Sequence, residues 1–181
     1  MRRFFYDTEF IEHETTGPYH NKVPTIDLIS IGIVSEDGKE FCAVSKEFNL
    51  GSASNNDFLR MNVLGQLPNA KKWIARSTIK QKVLDFLHPS GKDPVRLYAY
   101  FADYDHVALC WLFGRMIDLP KGMPMYTLDL KQLMVHLNIS KKELPEQSGT
   151  KHNALADAKW NREVFLFLKD YAKKNDYNLV L

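Results

Sequence analysis

The chain opens on a short apolar run and changes rhythm along its length. Residues 2–10, RRFFYDTEF, carry Phe4, Phe5, Tyr6 and Phe10, aromatic types that strands favour, and predict a first strand. Residues 12–25 are polar, with two prolines and a glycine, and predict a loop. IDLISIGIVS (26–35) and EFCAVSKEF (40–48) predict two antiparallel strands joined by the tight turn EDGK. Residues 49–72 are rich in Asn, Ser and Gly and predict irregular or short helical chain. From Ser77 the period lengthens: Ile79, Val83, Phe86 and Leu87 share a helical face, with Pro89 beyond its end. VRLYAYFA (95–102) predicts a fourth strand, and YDHVALCWLFGRM (104–116) a helix weakened near its end by Gly114. MYTLDLKQLMVHL (125–137) predicts a short strand running into a helix, and residues 140–151 a polar loop. From Asn153 to about Lys173 a long helix is expected, with Leu155, Ala158, Phe165, Leu168 and Tyr171 on its apolar face. Three strands followed by helix–strand–helix alternation imply an α/β fold, a mixed sheet with helices packed on it.

Composition narrows the class. The chain has 181 residues, 45% hydrophobic and 25% charged, which suits one domain spanning residues 1–181. A net charge of +2 neither announces nor excludes a nucleic-acid partner. Cys42 and Cys110 sit apart in apolar surroundings and read as buried reduced thiols. No run of 18 apolar residues and no secretory leader pattern occurs, so a soluble cytoplasmic protein without a membrane partner is expected.

Candidate chemistry starts at Asp7 and Glu9. They alternate with apolar residues, so on a strand they share one face, about 7 Å apart. Two carboxylates on an apolar strand repel and lose solvation, and packing alone gives no reason for them. Asp103 and Asp105 lie where the fourth strand yields to a helix, a place where ligands collect, though either serves equally well as an N-cap. In HNALADA (152–158), His152 precedes the last helix and Asp157 lies within its start. Taken alone these read as a surface histidine and an exposed aspartate. Ala154, Ala156 and Ala158 keep that end slim enough to approach a sheet or ligand. Asp129 is assigned to a helix cap. Should Asp7, Glu9, Asp105 and Asp157 converge, each ionised pair at about 5 Å repels by roughly 3 kcal/mol at an effective dielectric near 20. Divalent metal resolves this. Hard oxygen ligands suit Mg²⁺ or Mn²⁺, and two such ions ~3.5–4 Å apart clamp a phosphodiester for in-line attack. His152 would be the base that takes a proton from the attacking water.

These motifs resemble a family. D-x-E on a first strand, Tyr104-Asp105 at a strand-to-helix turn and H-x-A-x-x-D opening a late helix are similar to the DEDDh 3′–5′ exonucleases, which include RNase T and oligoribonuclease. FYDTEFIE, DLISIGIVSEDGKEFCAVSKEF and YDHVALC further resemble the small bacterial polyadenylate-specific 3′-exoribonucleases within it. The resemblance implies an RNase H-like fold with a five-stranded mixed sheet, trimming of a single-stranded RNA 3′ end with two Mg²⁺ ions, and a homodimer. Single-stranded DNA is the alternative substrate, and a non-catalytic RNA-binding module the alternative class. Asp7, Glu9, Asp105 and Asp157 would ligate metal, with His152 the general base. Phe101 stands where the family often has asparagine, which leaves nearby substrate contacts open and keeps Asp103 as an alternative ligand. Expected substrate contacts are Glu9, Phe10, Ile11, His106 and Arg76, the last within the basic stretch NAKKWIARSTIKQK (69–82). Lys141, Lys142 and Lys151 flank the histidine motif and could steer phosphates, and the loop holding His13 and His20 could cover the site.

Overall fold

A computed structural model describes residues 2–87 and 94–177. Among these, five strands form one mixed sheet in the order β3-β2-β1-β4-β5: β1 Arg2–Thr16, β2 Lys22–Ser35, β3 Glu40–Val44, β4 Val95–Ala99 and β5 Leu128–Asp129. The first three are antiparallel neighbours, whereas β4 runs parallel to β1 and β5 parallel to β4. The expected α/β architecture with a five-stranded mixed sheet is therefore what the chain adopts. Among the described residues six α-helices accompany the sheet: α1 Leu50–Asn55, α2 Asp57–Asn62, α3 Arg76–Leu87, α4 Ala102–Phe113, α5 Leu130–His136 and α6 Ala154–Lys174. None of the described helices is long and apolar enough to cross a membrane.

Alternation along β1 decides what each face does. Phe4 and Tyr6 point into a core with Ile79 and Val83 of α3 and Ala108 and Leu109 of α4. Phe5 points the other way, against Tyr98, Leu130, Val164 and Phe165 under α5 and α6. Farther along, Ile11 joins Ile29, Val44, Phe48, Leu59 and Val63 in a third cluster beneath α1 and α2. Asp7 and Glu9 thus lie between the start of α6 and the α1–α2 pair. The slim start of α6 does approach the sheet. A Cβ on Gly32 of β2 would lie 2.3 Å from the Ala154 carbonyl and 2.4 Å from the Leu155 nitrogen.

Several expected boundaries move. The polar stretch 12–25 is not a loop: β1 and β2 continue pairing from Ile11–Asp27 to Thr16–Lys22 as a ribbon beyond the sheet. Its polar residues satisfy the backbone ladder while facing solvent, so polarity alone misreads it. β4 stops at Ala99, and Phe101 takes the left-handed conformation (φ 60°) that turns the chain into α4. Gly114 ends α4 rather than weakening it. Cys42 is exposed and Cys110 buried, and both are free thiols. Pro89 lies outside the described residues.

Candidate active site

A cavity of about 1020 Å³ opens where β1, the carboxyl end of β4, the start of α4 and the start of α6 meet. Asp7, Glu9, Asp105, His152 and Asp157 all line it. Asp7 and Glu9 arrive there because they follow Phe5 on the face toward α6. One carboxylate oxygen from each of Asp7, Glu9 and Asp157 lies within 4.8 Å of the others. Asp105 reaches the same cavity from the opposite side of β1. Thr8 points toward α4, and both its backbone N–H (2.8 Å) and its hydroxyl (2.6 Å) donate to Asp105 Oδ1. Asp103, two residues earlier, is exposed. Neither aspartate is the N-cap, since α4 already begins at Ala102, whose N–H donates to Asp129 Oδ2 (3.1 Å). Asp129 Oδ1 in turn accepts from the Lys131 and Gln132 N–H groups and caps α5, as expected.

The electrostatics are those of acids crowded out of water. Burial, then Asp105, Glu9 and Asp157, raises the Asp7 carboxyl well above its ordinary range. Glu9 is pushed up to about 8 by burial and by Asp157 and Asp105. Asp105 rises to about 7 through burial, against the opposing pull of its two Thr8 hydrogen bonds. Burial also raises Asp157, opposed by donors from Gln147 Nε2 (2.5 Å) and Asn153 N–H (3.0 Å). A set of hard carboxylate oxygens this close fits a small divalent cation.

Other parts of the cavity wall differ in character. Phe10 stacks on Tyr104 with ring centroids 5.4 Å apart and planes within 4°. Tyr100 meets Phe101 and Trp160 edge-to-face at 4.9 and 5.2 Å. Lys141, Lys142 and Lys151 line the cavity from the loop before α6.

Three expected contacts are not in this cavity. Ile11 is 2% exposed, because α1 and α2 cover β1 immediately beyond the acids. His106 turns from the cavity to Thr127 Oγ1 (3.1 Å) and Cys110 Sγ (3.4 Å). Arg76 opens α3, its guanidinium 4.0 Å from Asp27 and its N–H on Glu47, and no residue of the basic stretch 69–82 lines the cavity. Trp73 of that stretch packs on Phe48 instead. His13 sits on the ribbon, bonded to Asp27 (2.8 Å), rather than on a covering loop. Sequence reasoning missed Thr8 and Gln147, which orient two of the acids, and the Tyr100–Phe101–Trp160 group. The aromatic density of YAYF at a strand end was the available signal for the last.

A family model described as the 3′-5′ exoribonuclease Rv2179c-like domain matches residues 2–168. The 3′-5′ exoribonucleases Rv2179c and MT2234.1, from two strains of Mycobacterium tuberculosis, are each 40% identical over 159 residues, 87% of both chains. A solved structure described as "3′-end specific recognition of histone mRNA stem-loop by 3′-exonuclease" superposes with a TM-score of 0.53 at 13% identity. That match covers 93% of this chain and 64% of the other, and at such identity it is a likeness of fold.

Proposed function

The chain belongs to the Rv2179c-like 3′-5′ exoribonuclease domain family, and on that premise we propose that it releases nucleoside 5′-monophosphates from the 3′ end of single-stranded RNA. The observation that carries this reading is the convergence of Asp7, Glu9 and Asp157 within 4.8 Å, with Asp105 beside them in one cavity. Two divalent cations, Mg²⁺ or Mn²⁺, would be held by these four carboxylates and would supply charge neutralisation and Lewis acidity toward the phosphodiester.

The remaining roles fall to the chain itself. Thr8 holds Asp105, and Gln147 and the Asn153 N–H hold Asp157, so the carboxylate oxygens are oriented before a substrate arrives. His152, on the cavity wall, takes a proton from the attacking water as general base. The water oxygen bonds to phosphorus as the bond from phosphorus to the 3′ oxygen of the preceding nucleotide breaks; that 3′ oxygen takes up a proton from solvent, and the phosphate leaves on the released nucleotide. The aromatic groups Phe10–Tyr104 and Tyr100–Phe101–Trp160 offer stacking faces to unpaired bases, and Lys141, Lys142 and Lys151 offer cations to the phosphates.

The test is to incubate 3′-labelled and 5′-labelled single-stranded RNA and DNA with Mg²⁺, with EDTA, and with the Asp7→Ala variant. Stepwise 3′ release from RNA, abolished by EDTA and by the substitution, is expected. Faster loss of DNA would assign the site to deoxyribonucleotides, and no turnover of either polymer with Mg²⁺ or Mn²⁺ would refute the proposal.

A further inference from the structure

The segment containing α2 is far from His152 in sequence, yet it touches the histidine and its neighbour. The Phe58 ring meets the His152 ring edge-to-face, centroids 4.8 Å apart at 78°. Gln66 Nε2 donates to the carbonyl of Lys151 (2.8 Å), the residue immediately before. On the other side, the Asn153 N–H is held by Asp157. His152 itself has φ 60°, a left-handed conformation that a non-glycine residue keeps only where its surroundings hold it.

The segment that reaches His152 is firmly seated. Leu59 and Val63 are buried with Ile11 and Ile29 beneath it, so α2 rests on the same strand that carries Asp7 and Glu9. Asn56 caps α2 by accepting from the Leu59 N–H at 3.0 Å. Phe58, by contrast, is 51% exposed. Its ring therefore contributes little to the core.

We propose, on the reading of His152 as the base, that Phe58 and Gln66 are positioning residues: Phe58 sets the plane of the imidazole, and Gln66 holds the left-handed turn that aims it into the cavity. The strand bearing the acids and the segment seating the base then share one rigid support, so base and carboxylates keep a fixed relation. Phe58 and Gln66 do not themselves line the cavity; of the residues that do, they meet His152 and Lys151, and Gln66 Nε2 is anchored in its own segment by also donating to the Asn62 carbonyl.

Phe58→Leu and Gln66→Met keep apolar bulk while removing the ring and the donor. Each is expected to lower kcat about 10- to 100-fold while KM stays within about twofold, as for a displaced catalytic group. Mn²⁺ affinity should be unchanged. In metal-free protein, the His152 ring resonances should shift or broaden in both variants. Phe58→Tyr should restore both turnover and the resonances. Met61→Ala, on the same helix and 76% exposed, should behave as wild type. Wild-type kcat and unmoved His152 resonances in both variants would overturn the inference, as would an equal loss in Met61→Ala. His152→Ala is run alongside: full activity in that variant refutes the base assignment itself, whereas its inactivity beside fully active Phe58→Leu and Gln66→Met refutes only the positioning.

Discussion

Asp7 faces Glu9, Asp105 and Asp157 from a buried strand, and all four carboxyls are raised above their ordinary range. In metal-free protein this crowding costs stability. Asp7→Asn is therefore expected to make the metal-free chain more stable, by about 1–3 kcal/mol in urea unfolding, while abolishing turnover. A loss of stability would show that Asp7 is held by attraction rather than repulsion. His152→Ala is expected to slow single-turnover hydrolysis about 10²- to 10⁴-fold, with Mn²⁺ affinity retained. Asp7 and Glu9 were legible in the sequence because carboxylates alternating with aromatics on a strand have no packing explanation. Asp157 and His152 were legible only as part of an ordered motif set. Gln147 and Thr8 were not legible: one lies in a polar loop without period, and the other is an ordinary strand threonine until α4 delivers Asp105 to it.

At Gly32 the backbone of β2 comes close against the first turn of α6, which carries Asp157. Gly32→Ala would drive a methyl group into the Ala154 carbonyl. It is expected to destabilise the fold by about 1–3 kcal/mol, by overpacking, and to lower Mn²⁺ affinity through Asp157. Gly38, in the open β2–β3 turn at φ +86°, has nothing within 4 Å of its added Cβ. Gly38→Ala is strained by that φ but should leave metal affinity unchanged, and an equal loss of Mn²⁺ affinity from both substitutions would deny Gly32 its special role. The strands and helices were largely legible from periodicity, since β1, β2 and α6 bury regular apolar faces. The ribbon at 11–27 was not, because a two-sided, solvent-facing strand pair has no apolar alternation to read. Ile11 and Arg76 were misplaced for a related reason. What covers a strand or receives a helix end depends on distant segments, here α1–α2 over Ile11 and Asp27 beside Arg76.

For the molecule as a whole, the acid cluster links stability, pH and metal. Glu9 near 8 and Asp105 near 7 stand above unfolded values close to 4, so the folded state binds more protons between these limits. Stability contributed by this excess is present at low pH and is lost as pH rises through the folded values. Thermal unfolding of metal-free protein should thus show Tm falling from about pH 5.5 to about pH 8.5, with saturating Mg²⁺ or Mn²⁺ flattening the fall. A metal-free Tm that rises with pH would contradict the crowding. With a net charge of only +2, the chain has no global field to draw in a polyanion. Under the proposed function the three lysines that line the cavity would carry that task locally, and sequence alone could not tell them from the more basic stretch 69–82 that lies elsewhere. Calorimetric titration of Mn²⁺ into metal-free protein tests whether the four carboxylates form a divalent-cation site. Saturable binding of two ions per chain is expected, lost in the Asp7→Asn, Glu9→Gln double variant. Protons should be released on binding, more at about pH 6.5 than at about pH 8.5. Absence of saturable binding, or binding that the double variant leaves intact, would contradict such a site.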